Sequence, residues 1–453
     1  MFRFHPLAPS GARLRLWIAV ATVAVLLATA APVQAAQSAY VTVANSVHQY
    51  DIVAGGLLVP MVPAKVPTGE SPTAMAVSPD FESLYAANED GASVSQYDIG
   101  RDGALSPKSP AKLATGFSPQ GVAVSPDGQS VYVSLAGPAN VAQYDVGPGG
   151  ELSPKSPATV AAGGTAYGVA VSPDGQSVYV TDYTLPNVWQ YDVGTGGELS
   201  PKSPATVSYF GDGARGIAVG QDGESVYVAN SFGRSSDVWQ YDVGPGGALA
   251  PKSPATVAAG GDSAGVAVSP DGQSVYVANQ MEASVSQYHV GAGGWLAPMA
   301  PATVAAHEGS YGVGVSPDGE SVYVANRGND SEACLGNPGA CGNVSQYDVG
   351  PGGKLSPKSP AKVATGTGGG AVGVAVSPGR VPTTKKQCKR GGWKQWGFKK
   401  RGRCIPFVKR NARHSCLAAR KVIGRHAFRQ KYSKGKHHRL AMRRCFRQEI
   451  RAR

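Results

Sequence analysis

The 453 residues carry a formal charge of +12, yet that sum hides two opposed regions: 37–380 holds 14 Lys and Arg against 29 Asp and Glu, whereas 381–453 holds 25 Lys and Arg against the single Glu449. Residues 37–380 are numerous enough to bury a large core unaided, which excludes a body dependent on covalent staples. Apart from one N-terminal run, no stretch is apolar enough to cross a bilayer as a helix, which excludes a helical multi-span membrane protein.

The N-terminus reads as a secretory signal over 1–36. Arg3, Arg13 and Arg15 supply the positive flank, 16–31 is apolar, and Val33-Gln34-Ala35 is a small-x-small cleavage pattern. The mature chain is therefore expected outside the cytoplasm, secreted or retained at the cell wall. The six cysteines, an even number with none in the signal, suit an oxidising compartment.

From residue 37 the sequence repeats. Gln-Tyr-Asp, once Gln-Tyr-His, occurs seven times, at Tyr50, Tyr97, Tyr144, Tyr191, Tyr241, Tyr288 and Tyr347, with spacings of 47, 47, 47, 50, 47 and 59. A period near 47 lies between those of WD-type and kelch-type propellers. One repeat, 121–163, predicts four strands. Residues 121–125 are small and β-branched, and Pro126-Asp127-Gly128 is a turn. Then 130–133 alternates, 140–146 follows, a Gly-Pro-Gly-Gly break intervenes, and 152–161 is a proline-interrupted strand that belongs at a blade edge. No segment of the repeat has a helical period.

The phase of the ends predicts a closed ring. The chain enters the repeat near Tyr40, in a second strand, and leaves after 372–377, a first strand. The last strand therefore completes the first blade, and closure removes exposed edges. The expected fold is all-β: a seven-bladed β-propeller over 37–380, followed by a Cys-stapled basic segment, 381–411, and a basic helical hairpin, 412–453.

Gly265-Val-Ala-Val-Ser-Pro-Asp-Gly followed by Val-Tyr-Val-Ala-Asn279 resembles the YVTN-type bacterial propeller repeat, and Asp242-Val-Gly-Pro-Gly-Gly-Ala-Leu249 resembles the third-to-fourth strand connection of lactonase-like seven-bladed propellers. The resemblance covers 39–378. It implies the fold, and an active face that holds anionic sugar lactones with basic and histidine side chains near the channel; the repeat itself supplies scaffold residues, and fold alone does not grant activity.

Strand order puts the Ser-Pro-Asp-Gly turns and the Gly-Pro-Gly-Gly loops on one face. The other face carries the second-to-third strand loops and the blade crossings. There, the residue just before each first strand is expected to ring the channel: Thr73, Gln120, Tyr167, Arg215, Ala264, Tyr311 and Val372. Arg215 is the one charge in this ring and the candidate for orienting a substrate carbonyl or carboxylate; Asp182 and Glu89 lie on or near loops of the same face. General acid–base chemistry needs a titrating group within hydrogen-bond reach of substrate, and none is evident. Gly261-Asp-Ser263-Ala-Gly265 matches a serine-hydrolase pattern but lies on a blade crossing with no helix following. The Gly-rich stretches open no helix and are not phosphate loops. The Gln-Tyr pairs, Trp189 and Trp239 read as blade-to-blade packing, and His289 merely replaces the usual Asp.

The spacing of 59 contains an insertion, 327–341, in a second-to-third strand loop. Cys334 and Cys341 flank Asn-Pro-Gly and are expected to pair; with no further His or Cys nearby, no metal or other cofactor is expected. The loop is a candidate partner contact or a tolerated surface insertion. In the tail, Cys388-Lys-Arg-Gly-Gly-Trp393, Trp396, Phe398 and Gly402-Arg-Cys404 resemble a short segment that ends many exported bacterial proteins, which implies Cys388–Cys404. Residues 416–423 and 440–450 read as basic helices stapled by Cys416–Cys445, since a module this small needs covalent help. Such a charge would bind polyanions by counterion release: wall polymer, anionic lipid or extracellular DNA. An intramolecular contact with the acidic propeller is the further option.

These features predict a monomeric, non-catalytic binding or surface protein, with a small-molecule or protein ligand at the channel face and the basic tail on envelope material. The alternative is an extracellular lactonase acting on a sugar or other small lactone.

Overall fold

The computed structural model describes residues 37–208, 213–231, 236–328, 341–366 and 370–378. The expected signal, Cys334, Cys388, Cys404, Cys416, Cys445 and both tail segments lie outside the described residues, as does the side chain of Cys341. Among the described residues, 28 strands form seven four-stranded antiparallel sheets. Blade 2 shows the unit: Pro72–Val77, Ser83–Asn88, Ser93–Ile99 and Leu105–Ala114 lie side by side in that order. The second strand is buried at every residue, and the outermost strand is mostly exposed. Blade 1 is composite. Ala371–Ser377 is its innermost strand and pairs with Gln37–Val43, Ala39 opposite Val376 and Val41 opposite Val374. The ring closes between the two ends of the repeat, as their phase requires.

The expected edge strand has the expected bounds and runs on through its prolines, Leu152–Ala161 in blade 3. Its register slips between the Ala142–Thr159 and Tyr144–Pro154 pairs, so the chain bulges and Lys155 is buried there. The ring residues differ from expectation: they stand second in each innermost strand instead of just before it, because the preceding residue already pairs, as Pro72 does with Asn88.

Two side chains in every repeat, and a third in five of the seven, latch each blade to the next. Gln143 donates Nε2–H to the Pro157 carbonyl of its own blade (2.7 Å) and accepts the Leu199 N–H of the next (2.9 Å). All seven glutamines do this, and Gln346 closes the ring on the Leu58 N–H (3.1 Å). The second-strand tyrosines donate to a glycine carbonyl one blade ahead: Tyr132 to Gly197, and Tyr323 to Gly56 at closure, both 2.7 Å. Lys155 pairs with Asp145 and donates to the Gly196 carbonyl of blade 4 (2.6 Å). In blade 6 both members of this ion pair change together, to His289 and Met299; in blade 1 Met61 replaces the lysine and Asp51 remains. Burial and neighbouring Asp102 hold the Asp51 carboxyl above the usual carboxylate range.

The tyrosines also make the ring sensitive to alkali. Burial pushes Tyr50, Tyr132, Tyr144 and Tyr347 up to about 12, whereas an unfolded tyrosine titrates near 10.0. A pKa raised on folding contributes stability that is complete below the unfolded value and is lost as pH rises through the folded one. The urea midpoint is therefore expected to hold up to about pH 9 and fall steeply between pH 10 and 12; a midpoint unchanged at pH 11 would contradict this burial.

Candidate functional site at the channel mouth

The repeat makes the ring tight before any function is considered. After most ring residues comes a glycine, and a Cβ there would meet the neighbouring backbone: 2.2 Å from the Arg215 carbonyl oxygen at Gly168, 2.4 Å from that of Tyr311 at Gly265. Hydroxyls of the second strand pin the same point. Thr181 Oγ1 accepts the Gly168 N–H (2.7 Å) and donates to the Arg215 carbonyl (2.8 Å); Ser134 does likewise between Gly121 and Tyr167. Inner strands brought together this closely leave a central cavity of about 180 Å³, lined by all seven ring residues.

Within the ring the chemistry is lopsided. Thr73 spends its hydroxyl on the Gln120 carbonyl (2.8 Å), Gln120 is buried with its amide on Ser118 (3.3 Å), and Ala264 and Val372 are apolar. Tyr167 in blade 4 and Tyr311 in blade 7 lie on opposite sides of the ring, and their hydroxyls hydrogen-bond across it. The Arg215 guanidinium lies 5.5 Å from the Tyr183 ring and 5.6 Å from the Tyr311 ring, and Arg327 lies 4.1 Å over Tyr311. Arg215 Nη1 donates to Gln280 Oε1 (2.8 Å) and sits 3.4 Å from Asp262 Oδ1. Its Nε is buried without a hydrogen-bond partner. Burial works against its charge, but Tyr311, Asp262, Tyr183 and Tyr167 outweigh burial and hold the guanidinium protonated more firmly than usual. Burial, with Tyr311 beside it, pushes the Tyr167 phenol well up. Asp262 has a left-handed backbone, φ +55°, which costs a non-glycine residue energy and is kept where the surroundings impose it.

Asp182 stands apart from the cavity. It is fully buried and accepts the backbone N–H groups of Thr165, Thr184 and Leu185 at 2.9–3.0 Å, so it organises a loop. Asn88, Asn230, Asn279 and Asn326 occupy the same place in other blades. Glu89 is half-buried at the mouth face near Ser118 (3.4 Å), outside the cavity lining. Ser263 is fully buried and donates to the Gly260 carbonyl (3.1 Å), with no elbow around it. His289 is exposed at the position of the usual Asp. Among the described residues no group of three His, Cys, Asp or Glu side chains could hold a metal ion.

Sequence reasoning missed Tyr183, Gln280 and Arg327 as members of the mouth. They share one repeat position, six residues after the serine that opens the second strand in blades 2 to 7, which reads Ala44, Glu89, Ala136, Tyr183, Ser231, Gln280 and Arg327. That position varies among near-identical repeats as the ring does, and aligning the repeats on their asparagines exposes it.

Residues 44–300 match the family model described as lactonase, 7-bladed beta-propeller. Among solved structures the fold is similar to a putative 6-phosphogluconolactonase from Bacteroides fragilis, 18% identical with a TM-score of 0.60 over 77% of this chain and 99% of that one. It is also similar to the periplasmic gluconolactonase of Pseudomonas aeruginosa, 19% identical with a TM-score of 0.58 over 76% of this chain and 100% of that one. A third similar structure, from Lactobacillus plantarum, is 19% identical with a TM-score of 0.60 over 76% and 99%. No curated protein sequence matches the chain significantly.

Proposed function

Because the chain belongs to the lactonase, seven-bladed β-propeller family, we propose that its channel mouth hydrolyses a small lactone, with Arg215 as the group that binds the carbonyl oxygen. The observation that carries this is the convergence of two guanidiniums, Arg215 and Arg327, on the phenols of Tyr167, Tyr183 and Tyr311 at one end of an otherwise acidic propeller. Hydrolysis adds water to the carbonyl carbon, builds negative charge on its oxygen, then breaks the ring C–O bond to leave a hydroxy acid. A fixed guanidinium in a partly dehydrated site stabilises that charge and then the product carboxylate. On this reading Asp262, 3.4 Å from Arg215 though outside the cavity lining, takes a proton from the attacking water, which returns to the leaving ring oxygen.

The gluconolactonase names of two similar structures favour sugar lactones as the first substrates to try. The same reading puts the enzyme outside the cytoplasm, supported by the arginine-flanked apolar run at 16–31. The direct test is acid release by the full chain, followed by pH-stat over a panel of sugar and acyl-homoserine lactones. Turnover above the spontaneous rate is expected for at least one of them. Rates equal to the blank across the panel would sink the catalytic reading and leave the non-catalytic binding role.

A further inference from the structure

Each innermost strand runs from the channel mouth to the opposite face, where the Ser-Pro-Asp-Gly turns meet the Gly-rich loops of the next blade. That face is built of carboxylates. Asp127, Asp145 and Asp174 line one groove between blades, about 310 Å³, and Asp80, Glu82 and Asp98 line another of about 380 Å³; all six are exposed. Asp98 and Asp145 have a lysine each, Lys108 and Lys155. The turn aspartates have none among their hydrogen bonds: Asp127 accepts Ser125 Oγ–H (2.6 Å) and the Gln129 N–H (3.0 Å), and Asp80 and Asp174 repeat the pattern. These bonds, from serine first, hold the carboxyls of Asp127 and Asp174 below the usual range.

The chain leaves the propeller on this same face. Ser377, at the end of the last innermost strand, pairs with Ser38, and Pro378 follows it as Pro79, Pro126 and Pro173 follow the corresponding serines that open the acidic turns. Three residues later begins 381–453, with its 25 Lys and Arg and one Glu, while the propeller carries 29 acidic residues against 14 basic. We propose that the basic segment 381–453 docks on the acidic turn face of its own propeller, opposite the channel mouth. Tethering at Pro378 makes the encounter intramolecular, with an effective concentration in the mM range. Exposed charges attract over only about 8 Å at physiological salt, so the segment must lie against the turns to be held. External polyanions then compete with the propeller for the same cations, and the mouth stays open whatever the outcome of that competition.

Zero-length carbodiimide cross-linking of the full chain, mapped by mass spectrometry, tests this. At low salt, lysines of 381–453 are expected to join Asp and Glu of the turn face within one molecule. The yield should fall several-fold at about 1 M salt, where the screening length shrinks to about 3 Å, and fall likewise in the Asp80→Asn/Asp127→Asn/Asp174→Asn variant, whose melting temperature is measured alongside to show that it folds. Cross-links concentrated on mouth-face carboxylates such as Glu89, Glu282 and Glu308, cross-links only between molecules, or a yield indifferent to the triple substitution would overturn the proposal. None of these readouts depends on lactone turnover.

Discussion

Arg215→Ala is expected to lower kcat/KM for lactone hydrolysis by about a hundredfold or more, the loss typical of removing one preorganised donor to a developing oxyanion. The guanidinium is held between two phenol rings, by Gln280, and beside Asp262, so its position is set before substrate arrives. Arg215→Lys should recover little. An ammonium on a flexible stem lacks the planar guanidinium that lies over the Tyr183 and Tyr311 rings while its Nη1 meets Gln280 and Asp262. Arg327, over the far side of the same cluster, remains in both variants. The measurement is initial rate against lactone concentration, with circular dichroism to show that the propeller is intact. A kcat/KM within threefold of the parent would remove Arg215 from the chemistry.

Gly168→Ala is expected to cost about 1–3 kcal/mol of stability, the usual range for overpacking a filled site. The added methyl would lie 2.2 Å from the Arg215 carbonyl oxygen, and that obstacle is backbone, itself pinned by Thr181. The inner strands of blades 4 and 5 must part, and Arg215 shifts with its strand. Thermal unfolding should show the lowered midpoint, and the same protein should lose lactone turnover beyond what its folded fraction explains. Ala74 occupies the corresponding place in blade 2, so inter-strand spacing is set blade by blade. An unchanged midpoint for Gly168→Ala would mean that blades 4 and 5 have the same latitude.

The blade count and the ring closure were legible because they depend on near-identical copies of one unit and on the phase of its ends. Local chemistry sufficed: a proline-bearing edge strand, an alternating second strand, a Pro-Asp-Gly turn. Even the ring residues could be named, because they sit at a fixed offset from Val-Ser-Pro. What was hidden depends on distances across the ring. Nothing in the spacing of Tyr167 and Tyr311 says that their hydroxyls meet, since that follows from the diameter the glycines permit. Asp182 drew attention as a carboxylate, yet its environment is that of the asparagines it replaces, and three N–H donors engage it. Arg327 was read as the first residue of an insertion, although its backbone still belongs to the second strand, Ser321–Gly328, and aims it at Tyr311.

The glutamine and second-strand tyrosine latches all reach the same way around the ring, from each blade to the next, joined by a lysine in five blades of the seven, and the step from blade 7 to blade 1 through Gln346, Tyr323 and Lys358 is of the same kind. The network therefore has no first or last member. Where the polypeptide happens to be cut is a covalent accident that these bonds do not register, and a circular permutant opened at a second-to-third strand loop, away from the glycine carbonyls that accept the latches, would inherit the same set of couplings. The molecule is a cycle in its energetics even though it is a line in its chemistry, and a defect in any one blade is felt by its two neighbours, the one its latches reach and the one whose latches reach it.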